Sequence, residues 1–214
     1  VAYNPDLDQI ILSCRSFNEL IVIDHSTTSE EAAGHTGGRS GMGGDILYRW
    51  GNPSNYRAGS MADQKFFLQH DTRWIQKGMP GEGSIMIYNN GNRRPAGNYS
   101  SIDVIVPPLN ENGTYHIKVG SAFGPQELEW GFVAETPTDF YSSFISGADR
   151  LPNGNTLICS GSEGIFFEVT PQGKTVWKYL NPFEVPPRGP EGPYSVFRVT
   201  RYAPDYSGLS RLWD

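Results

Sequence analysis

Runs of basic residues are missing from this sequence, and so is any long stretch with helical spacing. Its 214 residues carry 17 Lys and Arg against 23 Asp and Glu, a formal net charge of −6. A nucleic-acid surface needs clustered Lys and Arg, so no nucleic acid is expected among the partners. No stretch approaches the roughly 20 apolar residues of a membrane helix, so no membrane span is expected either. Cysteine is scarce: Cys14 and Cys159 each sit inside an apolar, strand-like run, IILSCRS and NTLICSGS. Two small buried residues is the simpler reading. A disulfide stays open, because nothing in the spacing requires one, and with it the redox compartment. A signal-peptide pattern is also missing. The opening VAYNPD reads as the end of a strand already under way, so the protein is expected to continue upstream and to be truncated here at its N-terminus. The missing leader then says nothing about secretion.

Metal-ligand spacing is absent too. The four histidines, His25, His35, His70 and His116, form no His-x-His or His-Glu-x-x-His array, so no metal site is expected.

What the chain has in quantity is turn chemistry and short apolar runs. There are 25 Gly and 16 Pro, with 13% aromatic residues, a composition that favours many short strands joined by tight turns. Three segments repeat one four-part order. The first is VAYNPDLD, QIILSCRS, ELIVIDH, DILYRWGNP; the second is HDTRWIQKGMPGEG, SIMIYNNG, SIDVIVPP, QELEWGFVA. The third is SSFISGADRLPNGN, TLICSGS, GIFFEVTPQG, KTVWKYLNP. Each fourth part carries a tryptophan: Trp50, Trp130 and Trp177. Four-stranded repeats with an aromatic near the outer strand are the pattern of propeller blades. The expected fold is therefore all-β, a single β-propeller fragment of four-stranded antiparallel blades over 1–53, 63–134 and 139–182, with a fourth blade starting at 194–214. The tryptophans are expected to wedge between blades. Long inserts at 26–44 and 109–125 decorate one face.

In a propeller the innermost strands line a channel, and ligands bind at one mouth of it. Inner strands here begin near Gln69-His70-Asp71, Tyr141-Ser142-Ser143 and Tyr194-Ser195. Matching second strands end on Arg15, on Asn89 and Asn90, and on Ser160 and Ser162, groups able to meet an anion. His70 is the one histidine at an inner strand. A triad of Ser142 or Ser143 with His70 and Asp71 is disfavoured, because neighbours on a strand point to opposite faces.

The segments 8–24 (DQIILSCRSFNELIVID), 43–53 (GGDILYRWGNP), 63–75 (DQKFFLQHDTRWI) and 83–95 (GSIMIYNNGNRRP) resemble the arylsulfotransferase family, as does 150–182. The Gln-His-Asp and Ser-x-Arg pieces are the most specific. That resemblance implies a six-bladed propeller in the intact protein, exported to the periplasm or outside the cell. It implies transfer of a sulfuryl group from an aryl sulfate to a phenol through a sulfohistidine, with no metal or organic cofactor. His70 is similar to the family's nucleophile and Arg15 to its sulfuryl-oxygen clamp, both counted as catalytic. Asn90, Ser143 and Arg198 are expected as substrate-binding channel groups, and the family's other histidines belong upstream of Val1. The alternatives are a non-catalytic extracellular propeller for binding or assembly, as a homo-oligomer or within a larger structure, and a quinone-dependent dehydrogenase propeller suggested by VTPQGKTVWKY (169–179).

Overall fold

The structure, a computed structural model, describes residues 1–184 and 192–212. It contains three four-stranded antiparallel sheets, each a meander in which sequence neighbours pair. Blade one is β1 (Ala2–Asn4), β2 (Gln9–Cys14), β3 (Glu19–Asp24) and β4 (Tyr48–Trp50). Blade two is β5 (His70–Trp74), β6 (Ile85–Asn89), β7 (Ser101–Ile105) and β8 (Trp130–Phe132). Blade three is β9 (Gly147–Arg150), β10 (Thr156–Ser160), β11 (Ile165–Val169) and β12 (Thr175–Leu180). Among the described residues no helix is long and apolar enough to cross a membrane.

The hydrophobic pattern of β6 and β7 follows from their place in the middle blade. Every residue of both strands is buried, yet the period-2 alternation of a strand is intact. Ile85 and Ile87 join the core against blade one, beside Ile11, Leu20 and Val22. Met86 and Tyr88, pointing the other way, join the core against blade three, beside Ile158 and Phe167. Full burial of each such side chain contributes about 1.5–3 kcal/mol, and two interfaces share the strand. β12, by contrast, is exposed along its length.

Two of the three tryptophans tie neighbouring blades together, as wedges should. Trp50 ends β4 almost fully buried and packs on Phe66, and its indole N–H donates to the Pro125 carbonyl (2.8 Å) in the loop before β8. Trp130 begins β8 and donates to the Pro171 carbonyl (2.7 Å) in the turn before β12. β4 and β8 each thus reach a proline carbonyl before the fourth strand of the next blade. Trp177 holds the same place on β12 but is 45% exposed and stacks on Tyr179 of its own strand.

Turns follow the residue chemistry. β9 and β10 are joined by a tight turn in which Gly154 takes φ +86 and its N–H donates to Leu151 O, a conformation that favours glycine. Residues 194–206 form no strand. They run back along blade three, where the Val196 N–H donates to Gly161 O (2.9 Å) and Arg201 pairs with the buried Glu168. Residues 213 and 214, the end of the expected fourth unit, lie outside the described residues.

Candidate active site

The turns after β2, β6 and β10 lie at one end of the blades, the end at which β5 and β9 begin. Arg15 opens a one-turn 3-10 helix directly after β2. Asn90 is the residue directly after β6, and Gly161 takes that register place in blade three, between Ser160 and Ser162. A side chain there has no room, since a Cβ would stand 2.5 Å from the Val196 carbonyl.

His70 opens β5, and the chain leading to it is fixed from both sides. From blade one, Asn18 Oδ1 accepts the Leu68 N–H (2.7 Å), and the fully buried Gln69 donates to the Glu19 carbonyl (2.8 Å). From within blade two, Asn89 accepts the Phe67 N–H (3.0 Å) and donates to the Lys65 carbonyl (2.9 Å). Asn89 also donates to Asp103 (2.8 Å), whose carboxyl is pushed above the usual range by complete burial. Those anchors hold a strained path: Leu68 has φ +58 and Asp71 φ +51, left-handed values on either side of the histidine. Non-glycine residues adopt this region at a cost and only where surroundings over-determine them.

The His70 ring is partly buried, and its Nδ1 lies 2.7 Å from Oδ1 of the fully buried Asn90. Burial holds the imidazole below its usual pKa. The Asn90 bond opposes that shift, the positive charge of Arg15 adds to it, and the Leu68 backbone and the Asp71 charge oppose it. The ring is therefore neutral near pH 7. Arg15 is exposed, and among the described residues its guanidinium makes no ion pair. A free cation fork at the same end as a neutral imidazole is an arrangement suited to an anionic group.

Asp71 does not serve the histidine. The strand register breaks between His70 and Arg73. The Asp71 carboxylate instead pairs with Arg73 and Arg198 and accepts the Ala148 N–H (3.2 Å). Ser142 Oγ is likewise committed, donating within 3.0 Å to the Phe144 carbonyl or to Ser162 Oγ (2.8 Å) and accepting the Ser162 N–H. The residues of a Ser-His-Asp relay are thus present without its hydrogen bonds.

The other expected site residues fall in three different places. Asn90 has its amide fully occupied inside the protein: Oδ1 faces His70, and Nδ2 donates to the carbonyls of Ser142 (2.8 Å) and Ile145 (3.2 Å). Ser143 is half-buried, and its carbonyl accepts from Asn92 (2.7 Å). Arg198 closes an ion pair with Asp71 (2.5 Å) and lies on a cleft of about 700 Å³ beside β1 and β5. Two residues at this end are not among those expected from sequence: Asn92, which also accepts from the Tyr141 hydroxyl (2.8 Å), and Ser146, whose buried hydroxyl accepts the Gly161 N–H (2.9 Å). An N-x-N spacing after β6 and a serine four residues after Ser142 were the available signals. Both cysteines are free, Cys159 buried and Cys14 partly so.

A family model described as Arylsulfotransferase (ASST) matches residues 1–185, so the chain belongs to that family. The comparison with curated proteins returns no match.

Proposed function

We propose that this arylsulfotransferase family member carries a sulfuryl group on Nε2 of His70, between an aryl sulfate donor and a phenolic acceptor. One observation carries the reading: His70 is a partly buried imidazole whose Nδ1 is engaged by Asn90 (2.7 Å), and burial lowers its pKa, which favours the neutral ring. With the proton on Nδ1, the lone pair is on Nε2, the nitrogen left for substrate.

The Nε2 lone pair attacks the sulfur of the aryl sulfate, an N–S bond forms, and the O–S bond breaks with its electron pair leaving on the phenolate. The phenolate takes a proton from its surroundings. The ring becomes an N-sulfoimidazolium that still holds its Nδ1 proton, and the Asn90 carbonyl oxygen accepts a stronger hydrogen bond from the cation than from the neutral ring. An acceptor phenol then gives up its proton to solvent, its oxygen attacks the sulfur, and the N–S electrons return to Nε2. Transfer is therefore ping-pong. Arg15 supplies a guanidinium fork for the sulfuryl oxygens, which gather charge as the group transfers. Ser143 and Arg198 are proposed as outer groups of the substrate path, Arg198 through its 42% exposed side chain. Export to the periplasm or outside the cell belongs to the same reading and rests on the family.

The test is rapid mixing of the intact protein with a chromogenic aryl sulfate and no acceptor. A burst of one phenol per protein molecule is expected, and none from His70→Ala. Equal phenol release from the wild type and His70→Ala would overturn the reading. Saturable binding of the aryl sulfate with no release would identify a binding propeller instead.

A further inference from the structure

The hydrogen-bond geometry around Asn90 points to an origin for the His70 tautomer outside its own blade. We infer that the loop entering blade three, residues 142–146, fixes the orientation of the Asn90 amide, making Asn90 and Ser146 positioning residues for His70. This deepens the proposed reaction, but its structural content stands without it.

Toward blade three, Asn90 meets two carbonyl oxygens, of Ser142 (2.8 Å) and Ile145 (3.2 Å). Only the NH2 end of the amide can face them. A flipped amide would set its oxygen against two acceptors inside the protein and leave the Ser142 carbonyl only the long contact from Ser100 Oγ (3.5 Å), a costly arrangement for buried polar groups. Its oxygen is therefore forced toward His70. An acceptor there requires a donor opposite, so the His70 proton resides on Nδ1. Free histidine prefers the other tautomer, and the selection is therefore imposed by the fold.

The two carbonyls converge because the loop is bent out of strand geometry. Ile145 has φ +49 and Ser146 φ +85, left-handed values for side chains that rarely adopt them. A knot of hydroxyls holds this bend. Ser146 Oγ accepts the Gly161 N–H (2.9 Å) and lies 2.8 Å from Ser142 Oγ, which accepts the Ser162 N–H (3.0 Å). On the other side Ser100 Oγ accepts the Ser142 N–H (2.9 Å) and donates to the Asn90 carbonyl (3.0 Å). The orientation of one asparagine is thereby tied to the β10–β11 turn, a whole blade from the histidine it serves.

The experiment is long-range ¹H–¹⁵N correlation NMR on histidine-labelled intact protein without substrate, assigned with His70→Gln. The wild type is expected to show His70 protonated on Nδ1 and bare at Nε2. In Ser146→Ala the two tautomers are expected to mix, and kcat to fall roughly tenfold with KM little changed. Asn90→Ala should release the tautomer entirely. A wild-type ring protonated on Nε2 overturns the inference, and it needs no variant to fold. A wild-type tautomer retained unchanged in folded Ser146→Ala also overturns it, by showing that blade three plays no part. Because the tautomer is read without turnover, a protein that shows the lock and releases no phenol would refute sulfuryl transfer and leave the lock standing.

Discussion

Nδ1 of His70 and Oδ1 of Asn90 stand 2.7 Å apart, across the gap between the start of β5 and the end of β6. His70 and Tyr88 are Cα partners in the ladder, and Asn90 lies two residues beyond Tyr88. The pair therefore closes the strand end by side chains, past the last register partner. It engages one ring nitrogen by geometry, and the proposed transfer uses the other.

Activity should follow the neutral form of His70. Burial and the Arg15 charge hold its pKa below the ordinary value, while Asn90, the Leu68 backbone and Asp71 pull upward, Asp71 with its carboxylate already tied to Arg73 and Arg198. The plateau of kcat/KM is expected to extend below about pH 6.5, with a single-proton fall on its acid side. A profile that loses activity above neutral pH through a histidine would contradict this.

The same shift has a consequence for stability. Between the folded pKa and the unfolded value near 6.5, the unfolded chain binds the extra proton. Stability is therefore complete above about pH 6.5 and declines as pH falls to the folded pKa. Urea midpoints measured against pH should show this slope in the wild type and a flatter curve in His70→Gln.

Arg15→Ala is expected to lower kcat/KM by about 100- to 1000-fold, the usual effect of removing one donor to a developing anion. Arg15→Lys should recover only part of it, because a point charge lacks the planar fork. The side chain is exposed and makes no ion pair among the described residues, so urea stability should move by less than about 0.5 kcal/mol.

The inter-blade indole bonds are separable from packing. Trp130→Phe keeps an aromatic ring and loses the bond to Pro171, so a cost of about 1 kcal/mol is expected. Trp50→Ala empties a site only 4% exposed and should cost about 3–5 kcal/mol. Equal effects in denaturant titration would contradict the different burial of the two.

Thiol chemistry should separate the cysteines. Cys159 is buried, and its thiol is pushed up to about 12 by that burial, so it should be silent toward a disulfide reagent in the native protein. Cys14 is half-exposed with its thiol raised by partial burial and by Glu19, and should react slowly. Both should react in urea.

The blades were legible because each short apolar run and each turn pair repeats in the sequence, and local chemistry decides them. The strand-end placement of His70, Arg15 and Asn90 followed from the same repeat. What sequence spacing does not contain is the partner across a blade boundary. Asn90 reads as a substrate-binding channel group after a strand, whereas its amide is consumed by His70, Ser142 and Ile145. Ser143 and Ser142 look alike on paper. The left-handed turn at Ile145 and Ser146 brings Ser142 into the hydroxyl knot and gives Ser143 a carbonyl role, which no alternation pattern predicts. Arg198 stands in the segment read as an opening blade, and its ion pair with Asp71 joins parts of the chain that only the fold brings together.

Sulfuryl transfer through Nε2 of His70 leaves a covalent adduct on the ring. Its most direct test is acid-free quenching of the intact protein after a single turnover with an aryl sulfate, followed by peptide mass spectrometry. One sulfuryl group is expected on the peptide containing His70, lost on adding a phenol acceptor and never formed in His70→Ala. Phenol released in a full burst with no sulfuryl group on His70 would contradict it.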